Sequence, residues 1–401
     1  MSVAFLQELI RAQKGGETAV QKVVADAARS LGCSVETVRY KPGEVPMVGE
    51  FASAQSIDTA ERESVVAAFK GRGGGRSVIF FAHPDGEPLA KTEAWQRDPF
   101  GGIVDNGRIH GWGVADDLSG VAIMIEGLRE VLASGRVPLG DVILASTPSK
   151  RHARGVSALL HGGLKADAAV YLHPAESGVG MREIKAFCLG QLDFRITVQG
   201  KPPDTSEISH LAFTHKAENP ADALAAIHAR LRAFEEGRAK TLSHPLLDHA
   251  SNLLISHMSV GTPGVRTRVA AEGTMEGSFS LLPSEDMKAV QAAVEQAVGA
   301  ARLDWVSGVC GAEVSSDHPL YRLVAGAIVE ITGQQPHVNP LHTASDIRNP
   351  IVQAGIPTVG LGPLGGDLTQ NGHHDEWVDV EDYRRAVKVA AAIIAGWCGI
   401  A

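Results

Sequence analysis

Hydrophobic positions change their period along the chain, and the changes mark out the elements. Residues 3–32 carry apolar side chains at helical spacing, broken at Gly15-Gly16, which predicts helix with an interruption there. A glycine-rich loop, Gly71-Arg72-Gly73-Gly74-Gly75, leads into Ser77-Val78-Ile79-Phe80-Phe81-Ala82, a short apolar run of the kind buried on both faces of a sheet. Residues 120–132 follow as helix, 141–146 and 168–172 as two more buried strands, and residues around 156–160 as the helix between those two. Strands alternating with helices predict an α/β domain on a sheet.

From residue 188 the pattern differs. Gln191 to Val198 alternates apolar and polar with period two, as a strand exposed on one face does. A long helix over 220–235, strands over 265–275 and 277–282, and a helix over 285–300 predict a small α+β layer. Residues 317–331 return to helix, 358–361 to strand, and 380–397 form a closing helix. The layout predicts a catalytic domain from residues 1–187 and 315–401, with residues 188–314 inserted as a lid.

Charge and cysteine usage narrow the function. Lys and Arg number 37 and Asp and Glu 46, giving a net charge of −9, which argues against nucleic acid or an anionic membrane as partner. The four cysteines are far apart and form no Cys-x-x-Cys, so neither a zinc knuckle nor a redox pair is indicated. The N-terminal residues show no basic region followed by an apolar core, and no apolar stretch reaches the ~18 residues needed to span a bilayer. The expectation is a reduced, acidic, cytoplasmic protein acting on a small molecule.

The chemistry concentrates between residues 83 and 120. His83-Pro84-Asp85 closes the first buried strand, where open α/β sheets place their sites. Asp116-Asp117 stands just before a helix. Imidazole with carboxylate is a ligand set that Zn²⁺ and Mn²⁺ accept, and Asp85 is spaced to orient His83. The competing reading is that Asp116 only caps the helix and His83 is a packed turn residue.

The ordered residues His83-x-Asp85, Trp95, Asp98-Pro99-Phe100, Asn106-Gly107, Gly111-x-Gly113 and Ala115-Asp116-Asp117-Leu118-Ser119-Gly120 resemble the M20 family of metallopeptidases and amidohydrolases. The resemblance implies a mixed-sheet, zinc-peptidase-like α/β catalytic domain with an inserted ferredoxin-like lid that mediates homodimerisation. It implies that His83 and Asp116 bind metal and that Asp85 supports His83. It extends to His210 before Asn219-Pro220, matching the lid histidine that helps stabilise the oxyanion, with His215 as a rival. It also covers Thr343-Ala344-Ser345-Asp346, which resembles a turn near the site, and Gly372-His373-His374-Asp375-Glu376, whose His373 is the choice for the last metal ligand, closely followed by His374.

Three departures qualify the resemblance. The family's Glu-Glu pair, one a general base and the other a ligand of a second metal, is replaced by Thr147-Pro148-Ser149-Lys150. A cation there disfavours a second metal by charge repulsion. The next ligand is His173 before Pro174, as in the amidohydrolase branch, with Glu176 as the nearest candidate for the missing base. The strand that usually carries a carboxylate-binding Arg lacks it, leaving Arg266 and Arg268, two apart and so on one face of a strand, as substitutes.

The expectation is therefore one divalent Mn²⁺ or Zn²⁺ held by His83, Asp116 and His173, with His373 nearby. Lys150, Arg266, Arg268, Ser345 and Asp346 are the candidate substrate contacts. The main reading is hydrolysis of a small-molecule C–N bond on one metal, including hydrolytic removal of an amine from an aromatic ring, as in the 5-nitroanthranilate aminohydrolase branch. The alternatives are a conventional two-metal amidase or peptidase, and a non-catalytic binding protein that keeps the fold.

Overall fold

The computed structural model describes the chain except residues 1, 87, 88, 90, 91, 341 and 367–374. The strands of its two main sheets are, in chain order, β1 (Ser34–Tyr40), β2 (Glu50–Ala52), β3 (Arg62–Phe69), β4 (Val78–Ala82), β5 (Val142–Ser146), β6 (Ala168–Leu172), β7 (Gly190–Gln199), β8 (Leu253–Val260), β9 (Glu272–Leu281), β10 (Arg302–Val309) and β11 (Thr358–Leu361). The helices are α1 (Ala4–Ala12), α2 (Glu17–Ser30), α3 (Ser119–Ala133), α4 (Gly155–His161), α5 (Pro220–Thr241), α6 (Met287–Val298), α7 (Pro319–Thr332), α8 (Arg348–Ala354) and α9 (Val380–Cys398). The chain forms two compact units. One is Met1–Val48, Ile57–Phe187 and Glu313–Ala401; the other is Gly49–Ser56 and Cys188–Ala312.

The first unit is built on a mixed six-stranded sheet in the order β1-β3-β5-β4-β6-β11. Strands β5, β4, β6 and β11 run parallel, while β1 and β3 are antiparallel additions at one edge. The parallel centre explains the unbroken apolar runs. Every residue of β4 and β6 is buried, as strands covered by helices on both faces require. Burying a side chain such as Phe80 contributes roughly 1.5–3 kcal/mol. Gly16, at φ +80°, breaks the N-terminal helical pattern into α1 and α2, because an L side chain rarely adopts that backbone.

The second unit runs β7-α5-β8-β9-α6-β10, with sheet order β8-β9-β7-β10 and β2 added beside β10. This is the split βαβ arrangement of a ferredoxin-like layer. Residues alternate strictly between buried and partly exposed along β9 from Gly273 to Leu281. The buried set, including Met275 and Phe279, packs with Leu224, Leu231 and Val294 from the two helices. Two expectations change here. Gly49–Ser56, placed by sequence in the catalytic domain, clusters with this unit through the β2–β10 pairing. The strand expected over 265–275 begins only at Glu272, because Pro263 and Gly264 (φ +91°) divert the chain. Arg266 and Arg268 therefore lie in an exposed loop, and the strand argument for a shared face fails.

Among the described residues, no helix is long and apolar enough to cross a membrane.

Candidate metal centre

Strands β4 and β6 are parallel neighbours, so their carboxyl ends lie side by side. His83 follows the end of β4 and His173 the end of β6, with ring centroids 6.0 Å apart. The third group comes from the turn before α3. There Gly120 is obligatory: a Cβ would meet the Leu172 carbonyl oxygen at 2.0 Å, so only glycine lets α3 start against the end of β6. The approach brings Asp116 between the two imidazoles.

His83 Nε2 lies 2.9 Å and His173 Nε2 3.2 Å from the same oxygen, Asp116 Oδ1. Donor atoms of these three side chains all fall within 4.8 Å of one another. Two imidazole nitrogens and a carboxylate oxygen match the ligand chemistry of Zn²⁺ or Mn²⁺. On His83, the other ring nitrogen, Nδ1, sits 2.8 Å from the Asp85 backbone carbonyl, which accepts its proton and leaves Nε2 as the ligand.

Asp85 supports the centre differently from expectation. Its carboxylate is 3.5 Å from His83 Nδ1 but accepts at 2.9 Å from the amides of Ser149 and Lys150 and at 3.0 Å from Arg62. It thereby ties the 149–150 turn to the end of β4. Burial works to raise its pKa, but His83, Arg62 and the Ser149 amide hold it below the usual carboxylate value.

Lys150 places Nζ 2.5 Å from Asp116 Oδ2. One oxygen of the bridging carboxylate thus faces the histidines and the other faces an ammonium. Burial opposes ionisation of Asp116, yet Lys150 and the two histidines hold it well below the usual carboxylate range. Ser149 Oγ hydrogen-bonds Asp346 Oδ2. Asp346 also accepts at 3.0 Å from Asn349 Nδ2 in α8, which anchors the Ser345–Asp346 turn beside the site. Ser345 is buried.

Glu176 is not an uncommitted base. Its carboxylate pairs with His342 and lies 3.8 Å from Lys185 Nζ. Although burial favours its neutral form, Lys185, His342 and His173 push its pKa far below the ordinary glutamate value, leaving a weak proton acceptor. Lys185 is fully buried, 3.0 Å from Glu183 and 3.2 Å from the His173 carbonyl.

Two supporting residues have contacts that the sequence alone does not assign, although Glu376 lies in the 372–376 stretch that resembles the family. Glu376 accepts hydrogen bonds from the amides of Gly113, Ala115 and Asp116 at 2.8, 2.7 and 3.1 Å, clamping the turn that presents Asp116. Burial pushes its carboxyl up to about 7. His342 pairs with Glu176, though only the Thr-Ala-Ser-Asp stretch after it is readable as a motif. His373 lies outside the described residues. His210 belongs to the second unit, where its Nδ1 accepts from the Val269 amide at 3.1 Å. In the same unit Arg268 Nε donates to the Ile208 carbonyl at 3.3 Å.

A family model described as Peptidase family M20/M25/M40 matches residues 79–396. Succinyl-diaminopimelate desuccinylase of Phenylobacterium zucineum is 28% identical over 346 residues, 80% of this chain and 83% of that protein. The desuccinylase of Methylobacterium radiotolerans is 26% identical over 390 residues, covering 93% and 90%. Among solved structures, aminopeptidase PepT from Bacillus cereus superposes with TM-score 0.72 at 17% identity, covering 98% of this chain and 96% of that one. Bacillus subtilis YxeP, described as a dinuclear metal binding peptidase, gives TM-score 0.63 at 16% identity over 99% of both chains. At these identities the structural likeness speaks for the fold alone. With the family match spanning most of the chain, the conclusion is plain: the protein belongs to peptidase family M20 and is a metal-dependent hydrolase of C–N bonds.

Proposed function

We propose that the protein hydrolyses the amide C–N bond of a small acylated amine using a single divalent cation. The observation that carries this reading is Lys150 on Asp116 Oδ2 beside the His83–Asp116–His173 triad. The resemblance implies a Glu-Glu pair, one a general base and the other a ligand of a second metal, where this chain has Thr147-Pro148-Ser149-Lys150. An ammonium 2.5 Å from the bridging carboxylate supplies the second positive charge itself and repels a further cation.

When bound, a divalent cation at the triad supplies Lewis acidity and can lower the pKa of water to ~7. The protein's own residues supply the preorganisation. The Asp85 carbonyl fixes the His83 ring, Glu376 fixes the backbone that carries Asp116, and the Asp85 carboxylate fixes the turn that carries Lys150. Such supporting hydrogen bonds are typically worth 10–100-fold in metal affinity or activity. An amide is favoured over a peptide because curated relatives spanning most of the chain are named as desuccinylases, which remove an acyl group from an amine.

A second reading is hydrolytic release of an amine from an aromatic ring. The absence of the carboxylate pair at Thr147–Lys150 favours it, because one cation leaves room for a flat ring. The test is a panel of N-succinyl and N-acetyl amino acids alongside aromatic amines such as 5-nitroanthranilate, assayed with Mn²⁺ or Zn²⁺. Amide turnover lost in His83→Ala supports the proposal, and aromatic amine turnover alone supports the second reading. Metal-loaded protein inert on every member contradicts both and favours a binding role for the fold.

A further inference from the structure

The general-base glutamate that the M20 resemblance implies is absent from Thr147-Pro148-Ser149-Lys150, and the structure offers a different group near the triad member His173. His342 is largely buried, with 11% of its side chain exposed, and its ring centroid is 6.4 Å from that of the triad member His173. Its Nδ1 is paired with Glu176 Oε2. Its Nε2 is buried and has no hydrogen-bond partner among the described residues. Glu176 is itself held in place, because its second neighbour is the buried ammonium of Lys185. The result is a carboxylate–imidazole pair in which the carboxylate accepts from Nδ1–H and Nε2 is left without a partner among the described residues.

The same residue lines an open cavity of about 670 Å³, together with Ser177, His337, Asn339 and Thr343. That volume falls in the range of small-molecule sites. A lone buried histidine is more often a packed core residue than a catalyst. Here the pairing with Glu176, the unmatched buried nitrogen and the neighbouring ring of the triad member His173 coincide.

We propose that His342 is the proton-transfer residue of this enzyme and that Glu176 is its positioning residue. The inference rests on the amide-hydrolysis reading above. His342 Nε2 takes a proton from the attacking water while the water oxygen bonds to the amide carbon. It then gives that proton to the amide nitrogen as the C–N bond breaks, and a carboxylic acid and an amine leave. No redox partner or second substrate is needed. The role corresponds to that of an imidazole held by a carboxylate in other hydrolytic sites.

The experiment uses the full-length metal-loaded protein on the N-acyl amino acid that the wild type turns over best. In His342→Gln, kcat is expected to fall about 10²–10⁴-fold, with KM changed little and bound metal unchanged. In His342→Gly, added imidazole is expected to restore part of the rate. In Glu176→Leu, which has no acceptor, the fall is smaller, and ¹⁵N-histidine spectra of the zinc-loaded protein lose the Nδ1–H signature of His342. Turnover of His342→Gln within threefold of wild type, or absence of imidazole rescue in a variant with intact metal content, overturns the inference while leaving the amide reading standing. A wild type that binds metal but hydrolyses no amide removes the amide reading and this inference with it, so the two failures are distinct.

Discussion

Lys150 and Asp116 form the contact on which the chemistry turns: Nζ lies 2.5 Å from Oδ2, while Oδ1 of the same carboxylate meets both His83 and His173. One carboxylate therefore bridges the two histidines and a fixed ammonium. Replacing the ammonium by a carboxylate reverses the charge where the M20 resemblance implies a second-metal ligand. Lys150→Glu is expected to raise the bound metal from about one ion per chain toward two, measured by elemental analysis after dialysis. Unchanged stoichiometry counts against Lys150 standing in for the second cation.

The cluster of His83, Asp116 and His173 was legible in the sequence as a candidate because these residues sit at element boundaries. His83 and His173 follow short apolar runs that read as buried strands, and Asp116 precedes a helix opening on Ser119-Gly120. Period and punctuation mark such places. The supporting contacts were not legible, because they join residues far apart in sequence. Glu376 reaches Ala115 across 261 positions. Glu176 was readable only as a spare carboxylate; its pairing with His342 and Lys185 depends on how three separate segments fold together. The lid strand β8 was missed because its residues are mostly exposed and show little apolar alternation. The strand expected over 265–275 starts late because Pro263 and Gly264 turn the chain before Arg266 and Arg268.

The buried Lys185 gives a stability prediction. It pairs with Glu183 at 3.0 Å, and both side chains are fully buried. Lys185→Met leaves Glu183 as an uncompensated buried charge, which typically costs about 3–5 kcal/mol. Urea denaturation of the metal-free protein should show that loss, and the variant should also bind metal more weakly, since Lys185 holds the His173 carbonyl.

The same pair sets an acid dependence. Burial alone would raise the Glu183 pKa, but Lys185 and the hydrogen bonds from Ser177 hold it below the ordinary value. A lowered folded-state pKa means the pair's stabilisation is present above the unfolded glutamate value and is lost as pH falls through the folded one. The stability difference between wild type and Lys185→Met should therefore be largest near neutral pH and shrink on acidification. A difference that grows at low pH contradicts the assignment.

The cysteines offer a test of packing in the first unit. Burial pushes the Cys33 thiol up to about 11 and Cys398 up to about 12. Alkylation requires the thiolate, whose fraction at pH 8 falls from roughly a quarter at the free-cysteine pKa to roughly a thousandth at pKa 11. Iodoacetamide at pH 8 should label Cys33 at least 100-fold more slowly in the folded protein than in urea. The folded rate should rise about tenfold per pH unit between pH 8 and 10.

The central claim is a single cation on His83, Asp116 and His173, and the most direct measurement is the stoichiometry and location of bound metal. Wild-type protein titrated with Mn²⁺ or Zn²⁺ is predicted to bind one ion per chain with high affinity, and His83→Ala and Asp116→Ala are predicted to lose it. Two tightly bound ions in the wild type, or undiminished binding in both variants, would contradict the account.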